Sequence, residues 1–230
     1  MRRVAPRLVL AVHIAVLSAS LLALSDISHG QSTSVGNAYL ANMDTDGTNT
    51  LEVARNFAAI VGGPFSGSNT LTLRGGYASV VSSMLSLLGN SGNTFNGDMF
   101  VDVDGGTLRI AGNPYVVGSA MQGLVLPGMT TGNTIIIRRN AIFTIDDNTT
   151  ASAAGYAPNR LGDTGNRPTV QLDGGTFNLI GANSAFAMTQ TVGQLILASG
   201  PSLINVTRAA GTPILLFDSL SRSNGAFATF

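Results

Sequence analysis

The string VDVDGGTLRI at residues 101–110 aligns without a gap on VQLDGGTFNL at 170–179. Each copy reads as an alternating strand, a Gly-Gly corner and a second alternating strand. A unit of this kind cannot bury its apolar face alone, so its recurrence points to a fold built by stacking copies. Weaker relatives are LTLRGG at 71–76, IIIRRN at 135–140 (followed by Phe143-Thr144-Ile145) and LILASG at 195–200. The five copies start at 71, 101, 135, 170 and 195, so successive spacings are 30, 34, 35 and 25 residues. That loose period suits a solenoid whose rungs carry loops of different length.

The corners have a backbone logic. Bending a strand sharply requires positive φ, which costs glycine nothing and asparagine little, so Asn140 is expected to take the place of a corner glycine. Between corners, Leu108 with Ile110, Phe143 with Ile145, and Phe177 with Leu179 alternate with polar neighbours, the period-two signature of a strand with one buried face. Asp-Gly is also a hairpin signal. A hairpin would pair Val101–Val103 antiparallel with Leu108–Ile110; repetition with strand-like segments in between favours parallel stacking, with ladders of like Asn and Thr residues. The expectation is all-β: a right-handed parallel β-helix over residues 69–230, interrupted in mid-pattern at its C-terminal end.

Residues 1–30 read as an export signal. Arg2, Arg3 and Arg7 precede an apolar run from Leu8 to Leu24, and Ser28 and Gly30 suit cleavage before Gln31. The run is at the short limit for a membrane span. Removing this segment takes both histidines, His13 and His29, and leaves nine arginines against eleven acids, a net charge of about −2. There is no Cys, Lys or Trp, and Glu52 is the sole glutamate. Such a chain has no electrostatic footprint for nucleic acid, no disulfide framework, and few of the side chains that cleft chemistry uses.

Residues 31–68, with Asn, Gly and Ser turns around Leu51–Val61, are expected to form an N-terminal cap or irregular segment, as an open solenoid end requires. Two stretches break the pattern. Ser79–Leu88 lacks clean alternation and suits a short helix within a loop near 77–90. Residues 149–168 read as a long excursion carrying Arg160 and Arg167.

The segment SGNTFNGDMFV at 91–101, followed by GTLRI at 106–110, resembles the autotransporter-associated β-strand repeat, whose pattern runs Asn-Thr-aromatic-Thr-Gly, then an alternating strand, then Gly-Thr-Leu. The phrases TVGQLIL at 191–197 and LSRSNGA at 220–226 are similar to that family's Thr-Val-Gly-x-Leu-x-Leu and Leu-x-Arg-x-x-Gly-Ala. The stretch between Asn93 and Thr107 is about two residues longer than the family pattern. The resemblance implies an exported β-helical passenger, secreted or displayed at the bacterial cell surface or outer membrane. It supplies no catalytic residues.

Several residues merit weighing as sites. Asp44-Thr45-Asp46-Gly47 has the rhythm of a calcium loop, but Arg55 stands where the twelfth-position glutamate belongs. An Asx turn accounts for it, and Asp102/Asp104 and Asp146/Asp147 read as a solvent face and a strand end. An enzyme of the polysaccharide lyase or hydrolase type would need Arg109, Arg138 or Arg139 set against Asp102 or Asp173. A surface-contact role falls on Tyr77, Tyr156, Arg160 and Arg167, in loop-like surroundings. The expectation is a non-catalytic structural passenger without cofactor or metal. Its partner is unspecified beyond a cell-surface glycan or protein, and the signal engages the export machinery. An adhesin or glycan-binding surface is the second reading and a polysaccharide enzyme the third.

Overall fold

In the computed structural model the described residues are 23–24, 33–35, 38–40, 43–46, 50–53, 58–62, 64–75, 84–87, 93–102, 106–111, 129–148, 160–162, 165–182 and 187–230. All regular structure among them is β, and none is helical. Their strands fall alternately into two sheets. The first is ordered Ala23–Leu24, Ala38–Leu40, Ala58–Val61, Met84–Leu87, Thr107–Ala111, Ile142–Asp146, Thr176–Ile180, Pro201–Thr207 and Phe227–Thr229. The second runs Thr33–Val35, Thr50–Val53, Leu71–Gly75, Met99–Val101, Thr134–Arg138, Thr169–Asp173, Ala187–Ser199 and Thr212–Arg222. A short pair, Met43–Asp44 with Phe65–Ser66, lies beside them. Neighbours within each sheet pair in parallel, and spatial order follows chain order. The connection between parallel partners, elsewhere a helix, is here a strand of the other sheet.

This pairing excludes the hairpin. Val101 lies between Leu73 and Ile137 in the second sheet. Leu108 and Ile110 lie in the first sheet, between Leu85 and Leu87 on one side and Phe143 and Ile145 on the other.

Alternation sets what is buried. Leu108, Ile110, Phe143, Ile145, Phe177 and Leu179 are all buried, as are Leu71, Met99, Ile135 and Val170, stacked in the second sheet. Each inward side chain sits on its counterpart in the next strand, so the core is a set of continuous apolar rows. Phe143 and Phe177 stack with centroids 5.6 Å apart and planes 9° apart, and Phe217 tilts against Phe177 at 6.0 Å. Offset aromatic pairs of this kind add about 0.5–1.5 kcal/mol beyond the area that they bury.

The corners behave as their composition requires. Asn140 has φ 64° and is the one non-glycine residue with positive φ among the described residues; Gly106, Gly174 and Gly200 have φ of 72°, 79° and 59°. Gly175 is needed for a different reason: a Cβ there would lie 2.6 Å from the carbonyl oxygen of Arg138. Asx side chains hold the bends at the other ends of the strands. Asp98 Oδ1 accepts from Thr134 N at 2.7 Å, Asn133 Nδ2 donates to Asn96 O at 2.6 Å, and Asn166 Oδ1 accepts from Thr131 N at 3.1 Å.

Three expectations are corrected. The described residues of 31–68 are not an irregular cap: Thr33–Val35 pairs with Thr50–Val53, and Ala38–Leu40 with Ala58–Val61, in the same two sheets. Met84–Leu87 is a strand, not part of a helix, held in parallel register on both sides, and this pairing overrides its weak alternation. The ungapped alignment of 101–110 on 170–179 holds only after the corner. Leu108, Phe143 and Phe177 are level, but Val101 is level with Ile137 and Leu172 rather than with Val170. The longer stretch between Asn93 and Thr107 thus takes up two residues at the corner. A two-residue slip keeps every side chain on its face, which is why the alternation survives it.

Ala23–Leu24, inside the leader-like segment, pairs with Tyr39–Leu40. The rest of that segment lies outside the described residues.

Candidate functional site

The densest charged chemistry lies where the strands of the second sheet end at the corner. Parallel register sets Arg74 level with Glu52, Arg138 level with Asp173 and, past a shift in register, Ser199 level with Asp173, while Asp102, the residue after Met99–Val101, reaches both Arg74 and Arg138 to complete one row. Sign alternates along the row. Arg74 Nε lies 3.5 Å from Asp102 Oδ2, and Arg138 Nη1 donates to Asp102 Oδ1 at 3.0 Å. Arg138 also lies over the Phe100 ring, 4.3 Å from its centroid, so its cation is held by a carboxylate and a π face together. Ser199 Oγ donates to Asp173. Above this row the corner forms an open cleft of about 390 Å³ lined by Arg138, Arg139, Asp173, Gly174, Ser199, Gly200 and Pro201. Arg139 is exposed on its rim.

A second cluster closes the end of the strand Ile142–Asp146. Arg109 Nε donates to Asp146 Oδ2 at 2.8 Å. The neighbouring carboxylate turns the other way, into the interior: Arg160 Nε donates to Asp147 Oδ1 at 2.6 Å, Gln190 Nε2 donates to Asp147 Oδ2 at 3.2 Å, and Arg160 N donates to Gln190 Oε1 at 3.2 Å. Asp147, Arg160 and Gln190 are all buried. Burial pushes the Asp147 carboxyl above its ordinary range, against the opposing pull of Arg160 and the Gln190 hydrogen bond, while nearby Asp146 adds to the rise. Arg167 is buried nearby in the chain, and its Nη1 donates to Asp218 Oδ1 at 3.2 Å.

Of the four surface-contact candidates, Tyr77 and Tyr156 lie outside the described residues. The other two are corrected: Arg160 and Arg167 are buried, each against an aspartate carboxylate of the kind that burying a guanidinium requires. The pairing imagined for an enzyme exists in part. Arg138 does meet Asp102, whereas Arg109 lies in the other sheet and meets Asp146.

In the Asp44–Asp46 turn the Asp46 carboxylate is engaged by neighbouring donors of the protein. Asp46 Oδ1 accepts from Ser68 N at 2.8 Å, Ser68 Oγ at 3.1 Å and Asn69 N at 3.2 Å. Those donors, Ser68 N first, hold the exposed Asp46 carboxyl below its ordinary value. Among the described residues no group of three or more His, Cys, Asp or Glu is placed to hold a metal ion, and no helix is long and apolar enough to cross a membrane.

The interior Asp147–Arg160–Gln190 network went unread in the sequence. Its one visible signal is Gln190, which shares the inward side of its strand with buried Val192. No protein-family model, curated protein or solved structure matches the chain.

Proposed function

We propose that the two parallel sheets are faces of a right-handed β-helix. We further propose that this body is a non-catalytic, exported scaffold that spaces or presents surface at the bacterial cell envelope. The observation that supports this reading is that the charged side chains are engaged by one another. Five of the eight described arginines, at 74, 109, 138, 160 and 167, each bind an aspartate from elsewhere in the chain. Groups held this way set strand register and anchor the corners, and they are poorly placed to exchange partners with a substrate.

The test is fractionation of a bacterial host that expresses the whole chain, with sequencing of the mature N-terminus. A product beginning at Gln31 in the medium or on the cell surface supports the reading; a full-length cytoplasmic product overturns it. One observation favours a second reading, an adhesin or glycan-contacting surface: the corner cleft with Arg139 on its rim. A glycan array hit lost in Arg139→Ala would move the assignment there.

A further inference from the structure

Arg139, Arg208 and Arg222 are the described arginines that bind no carboxylate among the described residues. Arg139 is set apart from the other two by its place on the corner cleft of about 390 Å³. Gly174 and Gly200 stand beside it on the following strands. A Cβ on Gly174 would lie 3.5 Å from Arg139 Cβ, and one on Gly200 would lie 3.9 Å from Gly174 Cα. Two residues without side chains leave a floor of bare backbone next to an extended cation. The cleft is not made by the end of the stack, because a further corner follows it. Ser223 N donates to Leu197 O at 2.9 Å, and Phe227 N donates to Gly200 O at 3.2 Å.

The lining is chemically two-sided. Asp102 already answers the charge of Arg138, so the exposed Arg139 is the uncompensated cation of the cleft. Asp173 accepts from Ser199 Oγ through one oxygen, and its other oxygen makes no hydrogen bond among the described residues. A bare anion would meet Arg139 but would be repelled by Asp173. A neutral sugar would find an acceptor in Asp173 but no aromatic face to stack on, since no aromatic side chain lines the cleft. A sugar acid satisfies both sides. Its carboxylate matches the fork of a guanidinium, and its hydroxyls donate to a carboxylate that can only accept. The volume falls at the small end of the ~300–1,000 Å³ range of ligand sites, which suits one unit of a chain rather than a long stretch.

We propose, resting on the glycan-contacting reading of this cleft, that it holds a single uronic acid unit of an acidic polysaccharide. Arg139 binds the sugar carboxylate, Asp173 accepts from the sugar hydroxyls, and the Gly174 and Gly200 backbone lets the ring approach. Ser199 holds Asp173 in place.

The test is calorimetric titration of the purified whole chain with trimers of galacturonate, glucuronate and mannuronate, beside the matching neutral trimers and inorganic sulfate. At least one acidic trimer should bind, and its neutral counterpart and sulfate should not. Arg139→Ala should weaken binding by about tenfold or more. Arg139→Lys, which keeps the charge and loses the fork, should fall between. Arg208→Ala removes an equally unpaired, exposed cation elsewhere and should change nothing; melting curves verify the fold of all three variants. Equal losses in Arg139→Ala and Arg208→Ala would reduce the effect to diffuse attraction and overturn the proposal, as would full competition by sulfate. A neutral trimer bound as well as its acid through Arg139 would overturn it while leaving the glycan-contacting reading intact. Binding of no trimer at all would overturn both.

Discussion

Arg138 donates to Asp102 across 36 positions of sequence, at 3.0 Å, and on its other side stands in register with Asp173. A cation between two carboxylates on consecutive strands is a register lock. Displacing one strand by a residue would turn that strand's member of the row to the opposite face. Displacing it by two, to the level of Ile136, would take Arg138 away from both carboxylates and set it between Phe100 and Gln171.

The lock can be measured by reversing its centre. Arg138→Glu places three acids on adjacent strands and should destabilise by about 1–2 kcal/mol, since like charges directly opposite each cost a fraction of a kcal/mol and the Phe100 contact is lost too. Asp102→Ser should cost less, about 0.5 kcal/mol, because the Arg138 and Asp102 side chains are 40% and 22% exposed and water screens their attraction. Urea unfolding of the two variants, with 1 M salt as a control, ranks these effects.

The two glycines of one corner should respond differently. Gly174→Ala has room, its nearest neighbour being Arg139 Cβ at 3.5 Å, but φ of 79° makes the substitution cost about 1–2 kcal/mol. Gly175→Ala meets the Arg138 carbonyl oxygen at 2.6 Å, a backbone atom that cannot yield without moving a strand, and should be the more damaging of the two. Asn140→Gly should be tolerated or slightly stabilising, and thermal melts of the three variants check this order.

In the interior, Asp147→Ala leaves the buried Arg160 guanidinium without its carboxylate and should cost about 3–5 kcal/mol. Replacing both, Asp147→Leu with Arg160→Met, should recover most of that loss, since an apolar pair of similar volume needs no compensation. A double variant no more stable than Asp147→Ala would show that the network does more than cancel its own charge.

Asp46 makes a prediction about acid. Its carboxyl titrates below 3.8 when folded because Ser68 and Asn69 donate to it. An acid with a depressed folded pKa contributes stability that is present above 3.8 and is lost as pH falls through the lower folded value. Wild type and Asp46→Asn should therefore differ most at neutral pH and converge below pH 3.8; a gap that widens on acidification would contradict the assignment.

The strand faces were legible because alternation is a local property: Leu108, Phe143 and Phe177 could be placed inward from their neighbours alone. The corners were legible for the same reason, Asn140 included. Register was not, since it depends on how many residues each bend absorbs. Matching Asp104 with Asp173 is natural in sequence, yet the residue level with Asp173 beside Arg138 is Asp102. The strand Met84–Leu87 and the burial of Arg160 were hidden because both depend on partners more than ten residues away.

Because each strand pairs with the one that next enters its own sheet, no ladder contact has to close a loop longer than the segment between successive strands of that sheet. Leu71 reaches Met99, Met99 reaches Ile135, Ile135 reaches Val170 and Val170 reaches Leu195. The entropy of closing a loop grows with the logarithm of its length, so every strand is added at nearly the same cost however many precede it. Contacts of such limited sequence separation favour stepwise pairing, each strand adding to the one that entered its sheet before it.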